Sequence, residues 1–574
     1  MSKINQTPMK YFLALLLVLP LSAIQPPAGG TRIATQPPSA YVFASHGKQQ
    51  SLPDGVVQMH VTKADPSQPF AAQHSVTATA PQKIAKGSPL LAIIRCRSVD
   101  SPRATLIAKW QHGAAPYPAF SSYFELALSR EWQDYPVLLM AESDIASDRL
   151  QFILLAAQQV QRVEISRVEL FHYPPKTDVS HFPRTRRTYE GREPNAPWRK
   201  AAQERIETMR KANLSATFVD EKGQPLAGKK VTLDLKRHAF GFGSAVNVDY
   251  LTRTTPDAEQ YRRIVEENFS MVVFENDLKD FPWEPRLSAD RKKQRNDQLN
   301  ASFQWLKDRH IAVRGHYLMQ TARPHNLHGK DAAFVKQHFL DSTRERMDFV
   351  GDRVCEWDVI NHPVAWQGAD LLTKQPGLER LDREVFDLAR SLSKGPFFVN
   401  EDQIFRPGPQ SDGTYEYLAA LKKDGYPVAG LGNQAHFDES FLPSPMEVWA
   451  MTDRFAQVVP KQIITEYDVV TSADEELAAD FTRDLLIATF SHPAYHGFLL
   501  WGFWEGSHWK PQAASWNRDW SIRPRGQVFL DLINREWHTR VELTTDNNGK
   551  VSWRGFPGWY QADLGETRQW IEAK

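Results

Sequence analysis

The chain has 574 residues, which is too long for one compact domain and predicts roughly two to four. Its 69 basic and 68 acidic residues nearly cancel, so the charge favours neither a nucleic acid nor an anionic membrane as partner. The two cysteines, Cys96 and Cys355, are too few for a disulfide framework or a thiolate zinc site.

The start of the chain has the pattern of a secretory signal. Lys3 and Lys10 give a basic start, an apolar run follows over 11–21, and small residues precede a Pro- and Gly-rich stretch. The apolar run is too short for a comfortable membrane span. We therefore expect residues 1–24 to be a signal peptide and the protein to be secreted or periplasmic, without membrane insertion.

Short segments with alternating apolar and polar residues fill residues 41–174, without a long helical pattern. Alternation with a period of two predicts an all-β sandwich, here of jelly-roll type. The segments 129–135 and 163–173 resemble the carbohydrate-binding modules that often precede polysaccharide hydrolases. The alternative is a sandwich that only spaces or packs against its neighbour.

Residues 175–237 are predicted to connect this sandwich to the next domain. A helical run covers 198–211, and 214–235 has the pattern of a β-hairpin with its turn at 221–225. The C-terminal residues 541–574 are turn-rich and β-like, and we expect them to pair with this hairpin in a small accessory sheet.

Between residues 238 and 540 the pattern changes, because predicted strands now alternate with long amphipathic helices. The predicted strands are 240–247, 270–279, 311–319, 354–361, 395–402, 428–437, 461–469 and 496–505. Eight such units in about 300 residues predict a (β/α)8 barrel. Chemistry in this fold lies at the carboxyl ends of the strands.

Polar side chains stand at those strand ends. They are Glu275, Asn276 and Lys279 at the end of the second strand, His316 at the third, Asn361 and His362 at the fourth, Gln434 and His436 at the sixth, Glu466 at the seventh and Trp501 at the eighth. Amide, imidazole and ammonium groups bind sugar hydroxyls, and an indole covers the apolar side of a sugar ring. The pattern therefore predicts a carbohydrate site built around the carboxylate of Glu466.

These motifs resemble glycoside hydrolase family 10, the xylanase barrel family, over residues 238–540. The matching segments are 242–247, 314–316, 357–361, 464–468 and 501–502 with Trp509. The resemblance implies a retaining hydrolase of β-linked polysaccharide with Glu466 as nucleophile and no cofactor or metal; we expect a monomer. It also implies the substrate-binding residues Asn361, Gln434 and His436 at the sugar 2-hydroxyl and the nucleophile, Asn276, Lys279 and His316 at the ring beside the cleaved bond, and Glu275 and Trp501.

Two positions depart from the family pattern. His362 stands where the family has its acid/base glutamate, and Gln320 with Thr321 stands where it has Trp-His. The second change removes an aromatic wall of the pocket, so the resemblance does not fix which sugar is accepted.

Three interpretations of His362 stay open. Imidazole transfers protons near neutral pH, so His362 can be the acid/base of a working hydrolase. In the second interpretation, the substrate assists or the proton comes from another rim carboxylate, such as Glu505 or Glu401. In the third, the barrel is a catalytically impaired glycan-binding protein. A metal-binding alternative would use His316, His362, His436 and Glu466 as ligands.

Overall fold

The computed structural model describes residues 24–36, 45–65, 68–101, 104–148, 150–283, 287–321, 327–364, 372, 375–472, 474–565 and 567–574. The predicted signal peptide, 1–24, lies outside the described residues except for its last position. In the described part of the chain, no helix combines the length and the apolar character needed to cross a membrane.

Ten strands in the described residues 31–172 form two antiparallel sheets. They are β1 (Thr31–Gln36), β2 (Gly47–Ser51), β3 (Val57–Val61), β4 (Gln73–Ala78), β5 (Pro89–Ser98), β6 (Thr105–His112), β7 (Phe124–Ala127), β8 (Gln133–Met140), β9 (Leu150–Leu155) and β10 (Gln161–His172). One sheet has the order β2-β3-β10-β5-β8 with β1 also on β10, and the other has the order β4-β9-β6-β7. Alternate side chains such as Ile94, Val137, Trp110 and Phe152 meet in one core, which confirms the predicted sandwich.

A connecting segment leads to the barrel through helix α1 (Pro197–Met209) and strands β11 (Ala212–Thr217) and β12 (Lys230–His238). Four further strands follow the barrel: β22 (Arg540–Thr544), β23 (Lys550–Gly555), β24 (Gly558–Asp563) and β25 (Arg568–Ala573). The C-terminal strands do pair with this region, since β11 pairs with β23, and β12 lies between β22 and β24.

The predicted hairpin over 214–235 is therefore wrong in its pairing, although its turn exists, with the Gly223 N–H donating to the Asp220 carbonyl. Strands β11 and β12 pair with C-terminal strands and not with each other, because the C-terminal strands supply the large apolar side chains. Leu214 and Leu233 share a core with Trp553 and Tyr560. Such long-range pairing leaves no local signature in the sequence.

Eight parallel strands close into a barrel, as predicted. They are β13 (Gly241–Val246), β14 (Met271–Phe274), β15 (Ala312–Gln320), β16 (Glu356–Asn361), β17 (Phe397–Glu401), β18 (Val428–Asn433), β20 (Lys461–Val470) and β21 (Tyr495–Leu500), and the short β19 (His436–Asp438) extends the rim beside β20. The pairing of β13 with β21 closes the ring. Both faces of these strands are buried, which explains their nearly continuous apolar runs.

Helices surround the barrel and turn their apolar sides to it. They are α2 (Val248–Thr252), α3 (Pro256–Asn268), α4 (Ala289–Lys307), α5 (Ala332–Val350), α6 (Leu381–Leu392), α7 (Pro409–Lys423), α8 (Pro445–Ala456), α9 (Glu475–Phe490) and α10 (Pro524–Asp531), with a π turn at Leu532–Glu536. Side-chain caps define several starts: Thr255 before α3, Asp331 before α5, and Ser444, which forms a capping box with Glu447, before α8.

The sandwich docks on the barrel face where the strands end. At its edge strand β7, the Glu125 N–H donates to the Glu439 carbonyl, just after β19, over 3.1 Å. Arg187 of the connecting segment bridges the same two residues, with an ion pair to Glu125 and a hydrogen bond to the Glu439 carbonyl, each 3.1 Å. Gln512 donates to Glu142 over 3.4 Å. The barrel thus covers a sheet edge that would otherwise present unpaired backbone groups.

Candidate active site

Glu466 lies on β20 with its carboxylate held on both oxygens. Asn400, on β17, donates to Oε1 over 2.6 Å, and His436, on β19, donates to Oε2 over 3.3 Å. His316 on β15 brings Nε2 to 3.9 Å from Oε1. Glu466 is only 5% exposed. Side chains from β15, β17 and β19 surround its carboxylate and fix its direction.

The surrounding charges keep this carboxylate ionised. Burial alone would raise the pKa of Glu466, but the His436 hydrogen bond and the charges of His316, His436 and Lys279 outweigh it and lower the pKa to about 2. His436 can supply that charge because Asp468 lies 3.0 Å from its Nδ1. Burial disfavours the imidazolium, yet Asp468 and Glu466 raise the pKa of His436 to about 10. Glu466 is therefore an anion at neutral pH.

Three amide side chains connect the ends of β16, β17 and β18. The Asn361 oxygen accepts from Asn400 over 2.9 Å and from Gln434 over 3.1 Å. The Asn400 oxygen in turn accepts from Thr465 over 2.8 Å. Asn400 was not among the predicted site residues, although the polar run that follows the apolar end of β17 could have indicated it. The amides form a continuous donor network next to Glu466.

His362 follows β16 and has its backbone fixed at both peptide groups. Its N–H donates to the Asn400 carbonyl over 2.9 Å, and its carbonyl accepts from the Thr321 hydroxyl. Its φ of 56° lies in the left-handed region, which non-glycine residues adopt rarely and often at functional sites. On the imidazole, Nδ1 lies 3.0 Å from Glu401, and Nε2 lies 3.1 Å from the Gln434 amide nitrogen.

Glu401, the last residue of β17, is fully buried and engaged on both oxygens. Oε1 contacts His362 and accepts from the Asp402 N–H over 2.8 Å, and Oε2 accepts from the Val364 N–H over 2.9 Å. Its bonded partners are His362 and backbone amides, which makes it a support for His362.

Glu505, the other carboxylate considered as a proton source, lies in the loop after β21. Its Oε2 accepts from the Arg523 guanidinium over 2.8 Å and from the Arg518 N–H over 3.2 Å. Glu505 is thus an anchor of its own loop.

Two opposing effects act on the pKa of His362. Burial lowers its pKa, but the hydrogen bond to Glu401 and the charges of Glu401, Glu466 and Asp402 outweigh burial, so the pKa is raised. An amide nitrogen only donates, so with Gln434 in this orientation Nε2 accepts and the proton resides on Nδ1. Protonation of Nε2 then requires Gln434 to turn its amide oxygen to the ring.

Gln320 and Thr321 contact the segment that carries His362. Gln320 accepts a hydrogen bond from the Asn361 amide over 3.3 Å, and Thr321 donates to the carbonyl of His362. The residues at positions 320 and 321 therefore hold the backbone and the side chain that present His362.

A cleft of about 420 Å³ lies between the segments that follow β13, β14 and β21, and two of the predicted sugar-binding residues, Glu275 and Asn276, line it. Its remaining lining is Asn247, Asp249, Tyr250, Arg253 and residues 506–509. Lys279 donates to Asn276 over 3.1 Å and lies 5.3 Å from the ring of the buried Trp501. Trp509 is half exposed and donates to Asp468 over 2.7 Å. The cleft thus combines polar groups with an accessible indole, as a sugar site requires.

The geometry does not support the metal-binding alternative. In the part of the chain that the structure describes, no group of three or more His, Cys, Asp or Glu residues is arranged to hold a metal ion. Each of the three imidazoles is instead paired with a carboxylate: His316 with Asp358 over 2.9 Å, His362 with Glu401, and His436 with Asp468.

Comparison with known proteins identifies one family model. The model of "Glycosyl hydrolase family 10" matches residues 232–526. Among solved structures, native xylanase 10B from Thermotoga maritima is 20% identical with a TM-score of 0.46, over 52% of this chain and 96% of that protein.

Two curated relatives match a longer part of the chain. Anti-sigma-I factor RsgI6 of Acetivibrio thermocellus is 29% identical over 369 residues, which is 63% of this chain and 46% of the relative. Endo-1,4-beta-xylanase 1 of Arabidopsis thaliana is 25% identical over 369 residues, 62% of this chain and 36% of the relative. The match therefore spans less than half the length of either relative.

Proposed function

The chain belongs to glycosyl hydrolase family 10, and we propose that its barrel is a retaining hydrolase of β-linked polysaccharide, similar to the xylanases. The observation that carries the proposal is the state of Glu466, which is buried, ionised and hydrogen-bonded on both oxygens at a strand end. A nucleophile must be anionic, whereas a general acid must hold a proton. This carboxylate therefore suits the role of nucleophile.

In the first half-reaction, Glu466 attacks the anomeric carbon as the bond to the leaving oxygen breaks. The product is a covalent glycosyl ester, and a second inversion by water restores the configuration. Asn361 and Gln434, joined to Glu466 through Asn400, are proposed to bind the sugar 2-hydroxyl. Asn276, Lys279 and His316 would hold the ring, with Glu275 and Trp501 beside them.

We assign the proton transfers to His362. A buried carboxylate on one imidazole nitrogen orients the ring, stabilises its charged form and leaves the other nitrogen for proton transfer. Glu401 has that relation to His362, with Nδ1 on its oxygen and Nε2 toward Gln434. Once a substrate displaces the Gln434 contact, Nε2 would give its proton to the leaving oxygen, and in the second half-reaction it would take one from water.

The alternative is a catalytically impaired barrel that binds glycans. It is favoured by the Gln434 amide nitrogen, which faces His362 Nε2 as a donor and so opposes a proton there. A relative that is named as an anti-sigma factor also matches this chain over 63% of its length, so a match to this barrel is not confined to proteins named as xylanases.

Aryl glycosides that differ only in leaving group separate the two functions. A dinitrophenyl group leaves without protonation, whereas a poor leaving group needs an acid. His362→Ala should therefore lower kcat/KM by about 10²- to 10⁴-fold for the poor leaving group and leave the activated one nearly unchanged. Glu466→Ala should abolish turnover of both. Equal and feeble rates on both glycosides, unchanged by either substitution, would instead support the binding protein.

For the sandwich we propose glycan binding, and for the whole protein export to the periplasm or medium. Phe70 and Tyr117 are 56% and 51% exposed, and such rings can stack on sugar faces. Replacing both with alanine in the full chain should reduce retention on insoluble polysaccharide while turnover of an aryl glycoside stays constant. Unchanged retention on every polysaccharide would leave the sandwich a spacer. Cell fractionation tests the export.

A further inference from the structure

We infer that the glycosyl ester on Glu466 is open to anionic acceptors, so that the protein releases glycosyl phosphate when inorganic phosphate is present. This inference rests on the proposed function, because it needs the ester to form. It concerns only the second half-reaction, in which water and phosphate compete for the same anomeric carbon.

The argument starts from the charge at position 362. In the family pattern this position is a glutamate, which has lost its proton to the leaving group by the time an acceptor approaches. That carboxylate would repel a second anion a few ångströms away. An imidazole that has lost its proton is neutral, and one that has regained it is cationic. His362 therefore removes the repulsion that would exclude phosphate.

The raised proton affinity of His362 adds a kinetic preference. Glu401, 3.0 Å from Nδ1, stabilises the imidazolium, so after the first half-reaction the ring regains a proton from solvent more readily than a free histidine. A protonated ring cannot act as base for water. Phosphate dianion needs no base, because its attacking oxygen is already anionic, and the same positive ring attracts it.

The rest of the site becomes less negative once the ester exists, because Glu466 loses its charge. The cations that remain near it are His436 and Lys279, and Lys510 lies 3.5 Å from the neighbouring Asp468. Of the remaining carboxylates, Asp468 is bound by His436, Lys510 and Trp509, and Glu401 is bound by His362 and two backbone amides.

The proposed step balances without a further reactant. An oxygen of HPO₄²⁻ forms a bond to the anomeric carbon while the bond from that carbon to Glu466 breaks. The electron pair of the broken bond returns to Glu466 as carboxylate, and the products are the β-glycosyl phosphate and free enzyme. Two inversions give net retention.

The test uses the full chain and a dinitrophenyl β-glycoside, whose leaving group needs no acid, so that the ester forms readily. Inorganic phosphate is added up to tens of millimolar at ionic strength kept constant with potassium chloride. The ratio of glycosyl phosphate to reducing sugar is measured by phosphorus NMR and mass spectrometry. The expected result is glycosyl phosphate in a share that rises with phosphate concentration.

Two variants isolate the charge at position 362. His362→Glu should lower the ratio of glycosyl phosphate to reducing sugar at least about tenfold, because a carboxylate repels the dianion at about 4 Å even in a water-like medium. His362→Gln, which is neutral, should keep a ratio well above that of His362→Glu, and circular dichroism checks that both variants fold.

Two outcomes would overturn the inference and leave the hydrolase standing: reducing sugar without glycosyl phosphate from the unchanged protein, or the same ratio in His362→Glu. No turnover of any aryl glycoside would remove both proposals.

Discussion

Replacement of Glu401 by glutamine removes the charge behind His362 with little change in shape. A hydrogen bond to a charged group contributes about 1.5 to 3 kcal/mol, and 1.36 kcal/mol corresponds to one pKa unit. The pKa of His362, which Glu401 raises, should therefore fall. The acid form then disappears at lower pH, so the basic limb of the pH profile for kcat/KM should move down by the same amount.

The measurement is kcat/KM against pH for a glycoside with a poor leaving group, in the unchanged protein and in Glu401→Gln. The basic limb should shift for this substrate and be weak or absent for the dinitrophenyl glycoside, whose departure needs no proton. A purely structural defect would lower both substrates equally at every pH, so the shape of the profile separates the two causes.

Asp453→Asn is a matched control. Asp453 lies 3.0 Å from Nε2 of His492, so this variant also removes a carboxylate that contacts an imidazole. His492 precedes β21 and therefore lies at the end of the barrel away from Glu466. Its profile should match that of the unchanged protein. A basic limb that stays in place in Glu401→Gln, with activity retained, would refute the argument that Glu401 sets the proton affinity of His362.

Two predictions concern stability. Glu466 has an ordinary pKa of 4.5 and about 2 in the fold, so the stability it contributes, about 3 kcal/mol, is present above pH 4.5 and lost as pH falls toward 2. Thermal unfolding should show this acid decline for the unchanged protein and a smaller one for Glu466→Gln; equal declines would contradict it. Gly315→Ala would place a methyl carbon 2.4 Å from the Trp357 ring, which should cost about 1 to 3 kcal/mol or more in urea unfolding. Gly113→Ala, whose nearest contact is at 4.0 Å, is the control, and equal unfolding midpoints would argue against the clash.

The sequence predicted the barrel well because its strands and helices leave strong local patterns. The apolar run before Glu466 predicted 461–469, and the strand is Lys461–Val470. Helix α7 begins at Pro409, a residue favoured in the first turn of a helix, and it has no side-chain cap. The predicted site residues followed from one rule, that function lies at the strand ends.

The contacts between those residues were harder to predict from the sequence. Glu401 was considered as an alternative acid, and its role behind His362 depends on a side-chain direction that spacing does not encode. The link between Thr321 and His362 joins positions 41 apart in sequence through a hydroxyl and a backbone carbonyl. The pairing of β12 with β22 and β24 likewise depends on partners hundreds of residues away.

The contact of β7 with the Glu439 carbonyl bears on how this protein should be cut for expression. The family match begins at residue 232, inside β12, and ends at 526, before the strands that pair with β12. A protein expressed from residues 232 to 526 alone would lack β22, β23 and β24, the strands that pair with β11 and β12. It would also expose the peptide group of Glu439, three positions past His436, whose imidazole contacts the carboxylate of Glu466. A protein made for purification should therefore include the sandwich, the barrel and the C-terminal strands through β25.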